Sequence, residues 1–177
     1  MGKKIAIFLA FFVLWAPCAF AQGAAPANEQ AAPKEGRSTS GLPIPRFVSL
    51  ASEQVFVRTG PALRYPIKWV YKKQGLPVEI IQEFDTWRKI RDIDGDTGWV
   101  HQSLLSGERA VVVQGEVNLP LHRDAREEST VTAYFEPNVV ARADACMKEW
   151  CRLENQGFKG WAQRKFLWGI YAQEDFD

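Results

Sequence analysis

The segment GDTGWVHQSLLSG, residues 95–107, is echoed 62 residues later by GFKGWAQRKFLWG, residues 157–169. Glycine stands at both ends of each copy, Gly-Trp recurs inside at Gly98-Trp99 and Gly160-Trp161, and Leu105 matches Leu167. A period near 62 is too long for solenoid units of roughly 20–50 residues. It suits two small domains, each near the lower size limit for a self-sufficient core. The spacing of other residues agrees. Val117 answers Val55 and Trp150 answers Trp87, with a drift of one residue that turns can absorb.

The segments between these marks read as short strands. FVSLASEQVFVR sets Val55 and Val57 against Phe56 in a period-2 pattern rich in β-formers. TGPALRYP piles up turn residues, KWVYKKQ is extended, and GLP breaks the chain before VEIIQEF. TWRKIRDI, the turn DGDTG and GWVHQ form a hairpin, SLLSG a 3₁₀-like turn, and RAVVVQG one more strand closing the first copy. No segment sustains helical periodicity. The expectation is an all-β chain of two tandem small barrels, residues 46–114 and 115–177, with the boundary near Gly115. Glycine before each tryptophan is expected to supply the positive φ of a tight turn.

The N-terminus carries an address. Lys3 and Lys4 precede the apolar run IAIFLAFFVLWA, and Ala19 and Ala21 place small residues where a signal peptidase reads them. Residues 1–21 are therefore expected to be a cleaved signal peptide, the apolar run being short of the roughly 20 residues that span a bilayer. The mature chain is then periplasmic or secreted and keeps no membrane anchor. Pro17 before Cys18 argues against a lipoprotein site. Residues 22–45, rich in Ala, Pro, Gly and polar residues, are expected to be a disordered linker.

Export governs the cysteines. Once Cys18 is removed, Cys146 and Cys151 remain, and in an oxidising compartment a disulfide stapling a hairpin is the default. Closing so small a loop contributes roughly 2 kcal/mol in the chain-entropy model. Two cysteines with no nearby histidine do not complete a zinc site, and C-x4-C is not the C-x-x-C of thiol oxidoreductases. No metal or cofactor is expected. Loss of Lys3 and Lys4 takes the net charge from +1 to −1, which leaves no electrostatic case for nucleic acid.

Val57-Arg58-Thr59-Gly60-Pro61, Trp87-x-x-Ile90 and Gly98-Trp99-Val100-His101-x-Ser103-Leu104-Leu105 together resemble bacterial SH3-like (SH3b) domains. The first copy is similar to a signal-bearing SH3-like family of α-proteobacterial type with no established activity. The second copy keeps the tryptophans but has VNLPLHRDA where VFVRTGPAL stood, with Pro120 in place of Arg58. SH3b domains are often fused to papain-like Cys/His enzymes, and some bind peptidoglycan. Here neither cysteine is expected to be free, and His101 with Ser103 lacks any marked third partner. The cluster Asp92, Asp94 and Asp96 reads as a hairpin tip, without the length or terminal Glu of an EF-hand loop. The expectation is a binding module, not an enzyme.

By resemblance to SH3 grooves, the candidate ligand-binding residues are Arg58 and Tyr65 on the first loop, Trp87 on the hairpin strand, and Trp99, with Arg91 and Asp94 at the rim. Each has a structural reading beside it. Trp87 and Trp99 serve equally as core residues, Arg58 as a loop brace, and Tyr65 as a partner for Pro66. The ligand implied is peptidoglycan or a peptide; the alternative is a periplasmic scaffold that meets another protein. The export reading has a direct check. N-terminal sequencing of material from the cell envelope should give Gln22 as the first residue, and retention of Met1 would contradict it.

Overall fold

The computed structural model describes residues 38–177; the signal peptide and most of the linker expected from the sequence lie outside them. The described chain is all-β. The first sheet comprises β1 (Arg46–Leu50), β2 (Val55–Arg58), β3 (Ile67–Tyr71), β4 (Pro77–Phe84), β5 (Trp87–Arg91), β6 (Thr97–His101) and β7 (Leu105–Ser106). The second comprises β8 (Ala110–Val113), β9 (Leu119–His122), β10 (Val131–Phe135), β11 (Val140–Met147), β12 (Trp150–Asn155), β13 (Phe158–Gln163) and β14 (Leu167–Trp168). The strand orders are the same in both, β3-β2-β6-β5-β4-β1-β7 and β10-β9-β13-β12-β11-β8-β14. Neither sheet closes into a barrel, since the edge strands of each do not pair with one another. A 3₁₀ turn, Gln102–Leu104 or Arg164–Phe166, precedes the last strand of each sheet, where SLLSG suggested one.

Apolar alternation sets the cores. In β2 the buried Val55 and Val57 flank the exposed Phe56, and with Val78, Ile80, Ile90 and Val100 they fill the first domain. Val111, Val113, Leu119, Leu121, Leu153 and Ala162 do the same in the second. The expected assignment of RAVVVQG is corrected here. Its strand, β8, pairs with β11 and β14, so it opens the second domain instead of closing the first. The changeover lies in the short stretch between β7 and β8.

The repeat register is also corrected. The contact that joins the outer strand pair of each curled sheet to the rest is a single residue pair, Arg58 with Trp99 and His122 with Trp161. His122, not Pro120, therefore takes the place of Arg58, and Leu119 takes that of Val55. Val117 is 75% exposed in the turn before β9. The turn between the first two strands is one residue longer in the second domain, which accounts for one of the two residues by which this strand departs from the 62-residue offset.

The glycines before the tryptophans act differently from expectation. The left-handed turn positions are Gly95 (φ 87°) and Gly157 (φ 85°), one hairpin tip upstream. Gly98 and Gly160 sit inside β6 and β13 where another strand comes close. A Cβ on Gly98 would stand 2.3 Å from Val57 Cγ1 and 3.2 Å from the Arg58 carbonyl oxygen. One on Gly160 would stand 2.7 Å from Leu121 Cβ and 3.0 Å from the His122 carbonyl oxygen. The missing side chain lets β2 and β9 cross at that distance.

The N-terminal strap departs from the linker expectation. Ile44 is 3% exposed and belongs to the first core. Glu83, whose side chain is wholly buried, accepts hydrogen bonds from Ser38 Oγ (2.7 Å), Thr39 Oγ1 (3.1 Å), Ser40 N (2.8 Å), Ser40 Oγ (2.9 Å) and Arg46 Nη2 (2.7 Å). Arg88 Nε adds an ion pair at 3.3 Å. Burial pushes this carboxyl's pKa up, but the bonds from Ser38, Arg46 and Ser40 outweigh it and hold it well below the usual carboxylate range. The strap's grip is thus full above that range and fades only as strong acid protonates Glu83. Residues 38–45 belong to the first domain.

In the second domain Cys146 and Cys151 are bonded, directly opposite one another across the β11–β12 hairpin. The Cys146 backbone exchanges two hydrogen bonds with Phe176 (2.7 and 3.0 Å), which ties the C-terminal segment to the stapled hairpin. That segment reaches back to the first domain. Phe47 packs against Trp168 and Tyr171 with ring centroids 5.1 and 4.8 Å apart, and Tyr171 donates to Glu79 at 2.7 Å. Arg109 donates to the Phe47 carbonyl at 2.9 Å. Gly169 (φ 116°) permits the crossing, for its Cβ would lie 2.5 Å from the Ala110 carbonyl oxygen and 3.1 Å from Pro77 Cβ. The two domains meet through this seam.

Gly160→Ala should lower stability by about 1–3 kcal/mol through overpacking, and Gly98→Ala by a similar or smaller amount because a side-chain methyl is its nearest obstacle. Gly107→Ala, with open space around it, should stay within about 0.5 kcal/mol of the parent. Urea unfolding of the three variants checks this ranking.

Candidate binding groove in the first domain

The loop between β2 and β3 and the tip of the β4–β5 hairpin face each other across an open groove of about 580 Å³. Ala62, Leu63 and Arg64 line one wall, and Thr86, Trp87 and His101 the other. The loop is held by its own backbone. Thr59 N–H donates to the Pro66 carbonyl (3.0 Å), Ala62 to Gly60 (3.0 Å) and Tyr65 to Ala62 (3.1 Å). The Tyr65 ring covers Gly60, where a Cβ would be only 2.6 Å from the ring carbons.

On the opposite wall, β5 and β6 pair Trp87 with His101 and Lys89 with Trp99, so these four side chains share the sheet's outer face. Trp87 is largely buried and meets the His101 ring edge-on, with centroids 5.5 Å apart. His101 Nδ1 lies 2.8 Å from Ser103 Oγ and 3.3 Å from the Ser103 backbone N–H. Both groups converge on Nδ1, which makes it the acceptor and leaves the ring hydrogen on Nε2. The His101–Ser103 pair caps the 3₁₀ turn. No carboxylate joins it among the described residues.

The six candidate residues are not brought together. Trp87 lines the groove. Arg58 instead braces the loop from behind, its Nη1 donating to the carbonyls of Leu63 (3.0 Å) and Tyr65 (2.8 Å). Tyr65 packs on Gly60 and sets the loop's shape. Trp99 is half-buried on the outer face beside Arg58. Arg91 turns toward the seam, where its Nε donates to Glu79 at 2.8 Å. Asp94 sits at the hairpin tip, its N–H donating to Asp92 Oδ1 at 3.2 Å. Sequence reasoning passed over Leu63, Arg64 and Thr86, and weighed His101 only as a partner of Ser103, not as a groove residue. Only the position of Leu63 and Arg64 inside the already suspected loop pointed to them.

The second domain builds the same loop on the same bonds. Arg123 donates to Thr130 (2.9 Å), Arg126 to Asp124 (2.8 Å) and Ser129 to Arg126 (3.3 Å), each 64 residues beyond its counterpart. The side chains differ. Glu127 takes the place of Leu63, Glu128 that of Arg64, and Ser129 that of Tyr65. Gln163, at the position of His101, donates to Glu127 across the gap. Trp150 meets His122 edge-on at 5.3 Å, a histidine from β9 instead of the strand that supplies His101.

A family profile described as the bacterial SH3 domain matches residues 51–107 and 115–169, one copy on each sheet. The chain belongs to the bacterial SH3 domain family. No curated protein matches it. Among solved structures it is similar to NlpC2 from Trichomonas vaginalis, at 14% identity and a TM-score of 0.34, over 75% of this chain and 51% of that one. It is similar also to NlpC1 from the same organism, at 14% identity and a TM-score of 0.32, over 75% of this chain and 48% of that one. The chain thus spans about half the length of these proteins. Bacterial SH3 domains are binding modules, and no described helix is long and apolar enough to cross a membrane.

Proposed function

We propose that this is an exported binding protein whose first domain holds a peptide, foremost the stem peptide of peptidoglycan, in the groove between Leu63-Arg64 and Trp87-His101. The observation that carries this reading is the contrast between two loops of one backbone design. In the first domain the loop stands off from the hairpin and leaves a groove with an aromatic wall. In the second, Glu127 and Gln163 join across the same gap. Such a groove with an aromatic anchor and a few fixed polar groups is how small β domains take extended peptides. The second domain, with 8 basic and 11 acidic residues over 110–177, serves as a stapled support docked through the seam.

The scaffold reading draws on the seam itself. Phe47, Trp168 and Tyr171 join the domains, and a joined pair presents a larger surface to a protein partner than either domain alone.

Co-sedimentation of the mature chain with purified sacculi separates the two. Binding is expected to intact sacculi and to be lost when stem peptides are removed enzymatically. Trp87→Phe should weaken binding about tenfold or more, as loss of a groove anchor does. Trp150→Phe should leave binding unchanged and lower the stability of the second domain. Equal binding with and without stem peptides, or no binding at all, contradicts the peptide reading and favours the scaffold.

A further inference from the structure

The groove has a polarity of its own. Its lining includes Arg64, His101 and Thr86, residues that carry hydrogen-bond donors, and no acidic residue. The two nearby arginines are used differently. Arg58 is committed to the carbonyls of Leu63 and Tyr65, so it fixes the loop and offers the groove nothing. Arg64 makes no hydrogen bond or ion pair among the described residues. Its guanidinium carbon lies 5.2 Å over the Tyr65 ring. Stacking of this kind holds the plane of the guanidinium while its N–H edge stays free for a two-pronged contact. Beside it, Leu63 is 76% exposed and Trp87 supplies an apolar wall.

We infer that the groove recognises a peptide carboxylate, with Arg64 as the residue that selects it. A planar carboxylate accepts two parallel bonds from the guanidinium edge, and His101 Nε2–H adds a third donor from the opposite wall. The alkyl part of the same residue then lies against Leu63 and Trp87. The second domain supplies an internal contrast. On the same loop backbone it sets Glu128 at the position of Arg64 and Glu127 at that of Leu63, and the arginine next to them, Arg126, is paired with Asp124 at 3.3 Å. The charge at the recognition position is reversed, so that loop repels the ligand the first one attracts. Trp69 and Lys68, the next aromatic and cation along the chain, engage each other on β3 and do not line the groove.

The inference rests on the groove reading above, and the test separates the two. Sacculi are used in native form and after carbodiimide-mediated amidation of their carboxyl groups, against the mature chain and four variants. Arg64→Ala is expected to weaken binding to native sacculi roughly tenfold. Amidation should weaken the parent protein by a similar factor and leave Arg64→Ala unchanged. Arg64→Glu should fall below Arg64→Ala on native sacculi only. Lys68→Ala, which removes a neighbouring charge outside the groove, should match the parent. If Trp87→Phe abolishes binding while Arg64→Ala and amidation have no effect, the groove stands and carboxylate selection is overturned. If Lys68→Ala weakens binding as much as Arg64→Ala, the attraction is general charge and the inference is overturned. If neither Trp87→Phe nor Arg64→Ala matters, the groove reading and the inference fall together.

Discussion

The absence of a side chain at Gly98 and Gly160 is the constraint on which each domain depends. A strand with any Cβ at that point would meet Val57 in the first domain, and Leu121 with the His122 carbonyl in the second. With glycine there, β2 and β9 fold back over the sheet, and the sheet curls enough to enclose a core with only seven short strands. The tryptophan that follows turns to the outer face and makes the one register pair that fastens the curl. Everything at the groove hangs on that crossing. Arg58, the residue paired with Trp99, is also the brace of the loop that forms one wall.

Two copies of one backbone then diverge by side chain. The loops after β2 and β9 share three backbone hydrogen bonds at matching positions, so much of the difference in what they present comes from their side chains. Tyr65 over Gly60 and Arg64 over Tyr65 form a stack in the first domain. In the second, the stack is replaced by Ser129 bonded to Asp124, and the wall by Glu127 bonded to Gln163. Freed from holding a groove open, the second domain carries the disulfide, the C-terminal segment and the seam. Glu79 illustrates the division of labour. It is buried at the edge of the first domain and accepts from both Arg91 of its own sheet and Tyr171 of the other domain.

Much of this was legible because it is local or periodic. The Gly-Trp echo marked two domains, alternation marked the strands, and the short spacing of Cys146 and Cys151 fitted a hairpin staple, which the register bears out. What escaped depends on distant partners. The run AVVV in β8 is buried along its whole length, and a fully apolar strand gives no sign of which sheet it joins. Ser38, Thr39 and Ser40 have the composition of a linker, and only a buried carboxylate more than forty residues away gives them a place. Arg58 at the end of β2 and Arg64 in the loop look alike in sequence. Whether Arg58 or Arg64 faces the groove is decided by the strand pairing that turns Arg58 onto the loop's carbonyls.

The central claim is that recognition resides in the loop and hairpin tip of the first domain while the matching surface of the second is silent. Residue-resolved NMR of the isotopically labelled mature chain, titrated with soluble stem-peptide fragments of peptidoglycan, tests it most directly. Shifts should concentrate at residues 60–66, Thr86, the Trp87 indole N–H and His101, with residues 124–129 and Trp150 unmoved. Largest shifts in the second domain, or along the seam at Phe47, Trp168 and Tyr171, would contradict the account.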